Sequence, residues 1–286
     1  MLSYQQAFYH SRLELEKIYD AHEATAIAHE LLEHITGKNK LQRITEKETL
    51  LDKIQEEEFH KGIERLLQGE PLQYVTGIQW FMNKPFHVNK HVLIPRPETE
   101  ELAQWIIDEW SDKKNIALLD IGTGSGCIPI SLKLQLPNAR ITSIDISEDA
   151  LKIAKRNADE LKADITLLHR NFLNESNWQS IDTYNVIVSN PPYIPISEKD
   201  SLDKNVREYE PETALFVPDN DALLFYRKIA LLGKEHLNEK GAIYCEVHKD
   251  YAEQTKELFE NSGYVSELRK DMHGNERMVK AMKTQF

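Results

Sequence analysis

The first 70 residues contain no proline, and their apolar positions recur at helical spacing. Within His22–Gly37, isoleucine and leucine repeat along one helical face, and Gly37 stands where a helix commonly ends. A second helix is predicted from a capping box at Thr45 and Glu48, with apolar positions that continue towards Gly69. The pattern therefore predicts a small N-terminal module of roughly three to five helices.

The pattern changes between Pro71 and Pro97. The stretch "YVTGIQWFMNKPFHVNKHVLIPRPE" is rich in β-branched and aromatic residues with interspersed proline and asparagine, which predicts a hairpin or an extended connector. We place the domain boundary in this region. The expected division is a helical domain over residues 1–72, a hairpin or linker over 73–97, and a second domain over 98–286.

Short apolar segments alternate with helical patterns after a helix predicted at about Glu98 to Ser111. Such alternation predicts an α/β fold with a mostly parallel sheet that is covered on both faces. The tail "GYVSELRKDMHGNERMVKAMK" instead predicts two antiparallel strands around a turn at His273–Asn275. The predicted parallel strands are "NIALLDIG", "ARITSIDI", "ITLLHR", "YNVIVSN" and "GAIYCEV".

Composition argues against several classes of protein. The 286 residues carry a formal net charge of −12 and no basic block, which weakens any interpretation with long nucleic acid as the substrate. The N-terminus shows neither an apolar signal core nor a transit pattern, and no membrane span is visible, so we expect a cytoplasmic chain. Cys127 and Cys245 lie in apolar runs without metal-ligand spacing; we expect reduced, buried thiols and no metal site.

A glycine-rich loop follows the first predicted parallel strand. In "LLDIGTGSGCI" the loop residues are Gly122, Thr123, Gly124, Ser125 and Gly126. Glycines at this place allow the backbone to turn tightly and to approach a ligand near the start of the next helix. The spacing is G-x-G-x-G and not the G-x-G-x-x-G of dinucleotide-binding folds, which disfavours NAD.

Acidic and amide side chains follow the next two strands. Asp145 stands about twenty residues beyond the loop, where a carboxylate can accept from both hydroxyls of a ribose. Asp145 is also a candidate helix cap, although Ser147 is better placed for that role. After the third strand, Asn171 and Phe172 are candidates to bind an adenine base by a hydrogen bond and by ring packing, with ordinary core packing as the alternative for Phe172.

The fourth strand ends in "NPPY", residues Asn190, Pro191, Pro192 and Tyr193. Two prolines fix two φ angles and remove two N–H donors, so the segment is a rigid array dominated by acceptors. A turn that merely ends the strand is the alternative. Together with the glycine loop and Asp145, the motif resembles class I S-adenosylmethionine-dependent methyltransferases that act on an amino group attached to a planar carbon.

That resemblance implies a role for each of the four residues. The side-chain oxygen of Asn190 and the main-chain carbonyl of Pro191 would each accept one N–H of the substrate, so that the lone pair of the nitrogen faces the methyl group. Tyr193 would stack on the planar group, and Pro192 would keep the array stiff. Asn190 to Tyr193 are therefore the candidate catalytic residues.

Four further sequence segments indicate which family of these methyltransferases the chain resembles. "GEPLQYVTG", "VLIPRPETE", "VREYEPETAL" and "HGNERMV" are similar to the bacterial release factor glutamine methyltransferases, also called HemK or PrmC proteins. The resemblance implies N5-methylation, with S-adenosyl-L-methionine, of the glutamine in the GGQ loop of class-1 peptide-chain release factors. It also implies that the N-terminal helical domain helps to hold the release factor.

Carried over by position, the resemblance assigns Gly122 to Gly126, Asp145, Phe172 and Asn190 to the cofactor. The family commonly has an aspartate where this chain has Asn171. We expect a monomer that does not bind nucleic acid directly. The alternatives are a ribosomal-protein glutamine methyltransferase, an adenine amino methyltransferase and a non-enzymatic binding module.

Overall fold

The computed structural model describes residues 1–283. The chain divides into two compact units, one formed by Met1–Ile78 with Asp203–Tyr209 and the other by Gln79–Leu202 with the residues from Glu210 onward. In chain order the helices are α1 (Tyr4–Leu15), α2 (Ala21–Thr36), α3 (Lys40–Thr45), α4 (Lys53–Leu67), α5 (Leu72–Thr76), α6 (Pro97–Trp110), α7 (Cys127–Gln135), α8 (Glu148–Leu161), α9 (Lys204–Tyr209), α10 (Glu212–Leu215), α11 (Leu224–His236) and α12 (Ala252–Asn261).

The strands are shorter on average and lie almost entirely in the second unit. In chain order they are β1 (Ile78–Phe81), β2 (Lys84–His87), β3 (Ala117–Ile121), β4 (Arg140–Asp145), β5 (Thr166–His169), β6 (Tyr184–Ser189), β7 (Ile194–Pro195), β8 (Phe216–Val217), β9 (Leu237–Glu246), β10 (Tyr264–Lys270) and β11 (Glu276–Lys283). Short 3₁₀ helices span Glu175–Ser180, Ile196–Ser201 and Lys249–Tyr251.

The first unit is helical, as the periodicity predicts. The predicted apolar face of α2 is buried against apolar residues of α1 and α4, and α2 ends at Gly37 with φ 65°, a conformation that favours glycine. The segment Asp203–Tyr209, distant in sequence, also belongs to this unit. Nothing in its composition indicates that association.

The predicted capping box at Thr45 and Glu48 is wrong. Thr45 is the last residue of α3, and its hydroxyl donates to the Leu41 carbonyl at 3.0 Å. The following helix, α4, is instead capped by Asp52, which accepts from the Gln55 main-chain nitrogen while the Gln55 side chain accepts from that of Asp52. Both pairs share the same spacing, so the sequence alone does not separate them.

A mostly parallel sheet forms the centre of the second unit, which confirms the predicted fold class. Within residues 1–283 its seven strands have the order β10-β11-β9-β6-β3-β4-β5. Neighbours from β9 to β5 are parallel, and β11 pairs antiparallel with both β9 and β10. Adjacent residues of β3 face opposite cores: Leu118 packs with α6 and α7, and Leu119 packs with α11 and α12.

The predicted hairpin precedes α6. Strands β1 and β2 form a two-stranded sheet, joined by Met82 and Asn83, which have φ values of 46° and 59°. A two-residue turn with positive φ at both positions matches the twist of a hairpin. Phe81 and Phe86 are buried and pack edge to face, with ring centroids 6.0 Å apart.

The two cysteines lie in the two cores of the sheet. Cys127 and Cys245 are buried and free, as expected for small apolar residues, and burial raises the pKa of the Cys127 thiol to about 12. None of the helices described over residues 1–283 has the length and apolar character needed to cross a membrane.

Candidate active site

A cavity of about 390 Å³ lies at the carboxyl ends of the parallel strands. Segments that directly follow β3, β4, β5 and β6 line it, together with parts of the chain before α6 and around α10. This edge of a parallel sheet is where ligands bind in open α/β folds. The lining includes the predicted residues Gly122, Thr123, Gly124, Ser125, Asp145, Asn171, Phe172, Asn190, Pro191 and Pro192.

The glycine loop turns sharply between β3 and α7. Gly122, Gly124 and Gly126 have φ values of 79°, 54° and 81°, in the left-handed region that favours glycine. A Cβ on Gly126 would lie 2.9 Å from the side chain of Ile130 and 3.2 Å from that of Ala154. Gly126 therefore supports close packing at the start of α7, while Gly122 and Gly124 line the cavity.

Asp145 holds the glycine loop. Its Oδ2 accepts from the main-chain nitrogen of Gly124 at 2.9 Å, and its Oδ1 accepts from that of Ser147 at 2.8 Å. Ser147 in turn caps α8, because its hydroxyl accepts from the Ala150 nitrogen at 3.1 Å. The capping role thus falls to Ser147, and the carboxylate of Asp145 lines the cavity.

Asp120 is a second carboxylate close to this loop, two residues before Gly122 in β3. It is buried in β3, and this burial raises its pKa to about 7. The hydroxyls of Thr123 and Ser143 lower the pKa, and the nearby charge of Asp145 raises it. A buried carboxyl in this setting favours its protonated form.

The loop after β5 contributes an amide and a ring. Asn171 is exposed, and its Oδ1 accepts from the Leu173 nitrogen at 3.0 Å. Phe172 is buried and stacks on Trp178 with centroids 5.6 Å apart, while Trp178 Nε1 donates to the Phe172 carbonyl at 2.9 Å. Phe172 therefore belongs to the core and also lines the cavity. Its contact with an adenine base stays a prediction.

Asn190 follows β6 and is oriented by a residue from α6. Its Nδ2 donates to the Thr99 hydroxyl at 3.1 Å, and that hydroxyl donates to Glu246 Oε2 at 2.6 Å. The amide nitrogen of Asn190 is therefore engaged with the protein. Its Oδ1 is the acceptor that remains for a ligand with N–H groups.

Tyr193 lies apart from the other three residues of its motif. Among the described residues that line the cavity are Asn190, Pro191 and Pro192, and Tyr193 is not one of them. Its hydroxyl donates to Glu246 Oε1 at 3.1 Å, and its ring is 5.9 Å from that of His248. Burial, followed by the charge of Glu246, raises the pKa of the Tyr193 hydroxyl, which therefore stays protonated.

Two walls of the cavity are joined by a buried carboxylate. Glu210 is 5% exposed; its carboxylate pairs with the Arg96 guanidinium and accepts from the Ile94 nitrogen at 3.2 Å. The adjoining residues Pro95 and Pro211 line the cavity. The stretches "VLIPRPETE" and "VREYEPETAL", noted separately in the sequence, are thus connected at one point.

Sequence reasoning did not single out Thr99, Glu210 or Glu246. Thr99 and Glu210 lie inside stretches that were recognised as a whole, where no single letter indicates a partner. Glu246 had a usable signal, because it is an acidic residue directly after the buried run "GAIYC" at the end of β9. Carboxyl ends of neighbouring parallel strands meet at one edge of the sheet.

The residues present fit S-adenosyl-L-methionine. A cavity of about 390 Å³ lies within the range of roughly 300–1,000 Å³ that is usual for small-molecule sites. Asp145 supplies a carboxylate acceptor for hydroxyl groups, and Ile146 with Phe172 and Phe225 supplies an apolar wall for a planar base. The open space beside Gly122 and Gly124 allows a ligand to approach the backbone closely.

Two family models match the chain. The PrmC N-terminal domain matches residues 6–77, and the Methyltransferase small domain matches residues 99–207. Among solved structures, a methyltransferase from Pyrococcus furiosus is similar with a TM-score of 0.51 and 18% identity, over 71% of this chain and 91% of that one. At this identity the similarity supports the fold.

Curated relatives match nearly the whole chain. The release factor glutamine methyltransferase of Flavobacterium psychrophilum is 42% identical over 93% of this chain and 94% of its own length. The enzyme of Bacteroides thetaiotaomicron is 40% identical over 94% of this chain and 96% of its own length. The enzyme of Enterococcus faecalis is 37% identical over 90% of this chain and 91% of its own length. The chain therefore belongs to the release factor glutamine methyltransferase family.

Proposed function

We propose that this chain methylates the side-chain amide nitrogen of the glutamine in the GGQ loop of a class-1 peptide-chain release factor. The observation that carries the proposal is the orientation of Asn190. Its Nδ2 donates to Thr99, so Oδ1 is left to accept from the NH₂ group of an amide. As a member of a methyltransferase family, the chain uses S-adenosyl-L-methionine as the methyl donor.

An amide nitrogen is a poor nucleophile because its lone pair is delocalised, so orientation is the main task of the protein. Asn190 Oδ1 and the Pro191 carbonyl each accept one N–H of the substrate and fix the plane of the amide. Positioning of well-oriented reactants can supply on the order of 7 kcal/mol. The same two oxygens stabilise positive charge that develops on the nitrogen, and a proton then leaves to water.

The cofactor, when bound, supplies an electrophilic methyl group on a positively charged sulfur. The residues that would hold it are the loop Gly122–Gly126, Asp145, Asn171, Phe172 and Asn190. Asp145 would accept from the ribose hydroxyls while it keeps the loop in place. Phe172 and Asn171 would contact the base, and the Pro191–Pro192 pair would separate the cofactor and glutamine sites.

The partner and the location follow from the same proposal. The substrate is a release factor, recognised in part by the helical domain over residues 1–72, with the hairpin over 73–97 as a linker to the catalytic domain. We propose a monomeric enzyme in the cytoplasm that makes no direct contact with nucleic acid. The formal net charge of −12 supports the last point.

Methyl incorporation from labelled S-adenosyl-L-methionine tests the substrate. The acceptors are a purified release factor, the same factor with the GGQ glutamine changed to alanine, a ribosomal-protein fraction, and adenine-containing DNA and RNA. We expect label on the native release factor and none on the other acceptors. Label only on the ribosomal fraction or only on nucleic acid would contradict the proposed substrate, but it would remain consistent with methyl transfer to an amino group.

A further inference from the structure

Glu246 stands next to Asn190 because of the register of the sheet. Ser189 at the end of β6 pairs with Cys245 of the parallel strand β9, so the residues that follow them, Asn190 and Glu246, meet at the same edge. The Glu246 residue is 2% exposed, and it is not among the described residues that line the cavity. It therefore stands behind the substrate site and acts through other groups.

Each oxygen of the Glu246 carboxylate receives one hydroxyl. Oε2 accepts from Thr99 at 2.6 Å, and Oε1 accepts from Tyr193 at 3.1 Å. Thr99 also accepts from Asn190 Nδ2 at 3.1 Å. One buried carboxylate thus connects the first and the last residue of the NPPY segment.

The direction of these hydrogen bonds is fixed by the number of protons. The Thr99 hydroxyl has one proton, and because it donates this proton to Glu246, its oxygen can only accept from Asn190. The group of Asn190 that can donate is the Nδ2 nitrogen. The flipped amide would place Oδ1 against an oxygen without an available proton, so an ionised Glu246 selects the orientation that keeps Oδ1 for the substrate.

We propose that Glu246 is a positioning residue. It sets the amide orientation of Asn190 through Thr99, and it fixes the position of Tyr193 by a direct hydrogen bond to the Tyr193 hydroxyl. The proposal rests on the proposed function in that the oriented group is the acceptor for the glutamine amide. Glu246 does not contact the cofactor or the reacting nitrogen. Its contribution is the arrangement of the groups that do.

The charge state of Glu246 matters for this arrangement. Burial raises the pKa of Glu246 above its usual value, and hydrogen bonds from Thr99 and Tyr193 offset part of that rise. If the carboxyl group takes up a proton, one of its oxygens becomes a donor, and the direction of the hydrogen bonds from Asn190 through Thr99 to Glu246 is no longer fixed. The titratable and charged groups around it are Glu98 of α6, Cys127 of α7, Tyr193, Tyr226 of α11 and Arg277 of β11.

Kinetics of the full-length enzyme with a release factor provide the first test. In Glu246→Gln, one of the two hydroxyls must reverse, because an amide offers one acceptor oxygen in place of two. We expect kcat to fall on the order of 10²-fold, with the Kd for S-adenosyl-L-methionine unchanged. Thr99→Val should act in the same way, the double variant should be no worse than Thr99→Val, and Thr99→Ser should recover most of the activity.

Matched controls separate positioning from loss of packing. Thr255 is buried, and its hydroxyl donates to the Tyr251 carbonyl. The Glu109 carboxylate accepts from Tyr244 and Trp105. Neither Thr255 nor Glu109 is among the described residues that line the cavity. Thr255→Val and Glu109→Gln should leave kcat unchanged.

In the wild type, kcat should decrease as the pH is lowered and Glu246 takes up a proton. This decrease at low pH should be absent in Glu246→Gln. Equal kcat in wild type and Glu246→Gln, or additive losses in the double variant, would overturn the proposal.

A second measurement does not depend on the substrate. The Asn190 side-chain NH₂ signal can be assigned in an asparagine-labelled chain by its loss in Asn190→Ala. We expect one slowly exchanging Nδ2 proton in the wild type and fast exchange in Thr99→Val and Glu246→Gln. Fast exchange in the wild type would overturn the positioning role, whereas slow exchange without methylation of any release factor would overturn the proposed function alone.

Discussion

The main-chain nitrogen of Gly124 donates to Oδ2 of Asp145 at 2.9 Å, across 21 residues of sequence. The other oxygen of the same carboxylate accepts from the Ser147 nitrogen at 2.8 Å. Asp145 therefore fixes the glycine loop after β3 and the start of α8 together. A residue expected to bind a ligand is thus also part of the framework that shapes the ligand site.

Replacement of Asp145 by alanine should weaken cofactor binding. The variant loses both acceptor oxygens, and hydrogen bonds to a charged group contribute about 1.5–3 kcal/mol each. We expect the Kd for S-adenosyl-L-methionine, measured by isothermal titration calorimetry, to rise about 10- to 100-fold. Asp149→Ala, an exposed aspartate in the first turn of α8, is the control. An unchanged Kd for Asp145→Ala would contradict the assignment.

Replacement of Asn190 by alanine should separate binding from catalysis. The variant removes the side-chain acceptor of the substrate amide, so transfer should fall by orders of magnitude while much of the cofactor affinity remains. Single-turnover transfer and calorimetry measure the two quantities on the same preparation. Asn261→Ala, an exposed asparagine at the end of α12, controls for the substitution itself. Equal transfer by wild type and Asn190→Ala is the result the mechanism does not allow.

Removal of Arg96 should destabilise the chain more than removal of the whole ion pair. Arg96→Ala leaves the buried carboxylate of Glu210 without its cation, and breaking a buried pair costs about 3–5 kcal/mol. Because the Arg96 side chain is 34% exposed, we expect a smaller loss in the free energy of unfolding, about 2 kcal/mol. Urea denaturation of Arg96→Ala, Glu210→Gln and the double variant measures it. Simple additivity of the two single changes would contradict the pairing.

Asp120 should make stability depend on pH. Its pKa is raised from 3.8 to about 7, so the folded chain keeps a proton that the unfolded chain has already lost. Stability therefore falls as pH rises between these values, by about 4 kcal/mol in total. Asp120→Asn has no such titration.

Denaturation at pH 5 and pH 8 tests the role of Asp120. Between these two conditions we expect the wild type to lose about 2 to 3 kcal/mol more than Asp120→Asn. Identical pH profiles for wild type and variant would show that Asp120 titrates normally.

Local sequence patterns identified the main segments that line the cavity. The glycine loop follows directly after β3, Asp145 is the last residue of β4, and the NPPY segment follows directly after β6. Short apolar segments between helical patterns identify those strands. The parallel sheet, its antiparallel ending and the hairpin before α6 were predicted for the same reason. The pattern that identifies each strand, helix or turn depends on residues that are close together in the chain.

The contacts that orient the site come from distant segments. Asn190 and Thr99 are separated by 91 residues, and Thr99 and Glu246 by 147. Such pairs depend on the order of strands in the sheet, which hydrophobic periodicity does not encode. The predicted capping box failed for a different, local reason, because Asp52 with Gln55 has the same spacing as Thr45 with Glu48.

Mass spectrometry of the release-factor peptide that contains the GGQ loop is the most direct measurement of the central claim. The peptide is compared after incubation with S-adenosyl-L-methionine and either wild-type enzyme or Asn190→Ala. We predict one added methyl group on the side-chain nitrogen of the glutamine with the wild type, and almost none with the variant. A methyl group at any other residue, or an equal yield with Asn190→Ala, would contradict the account.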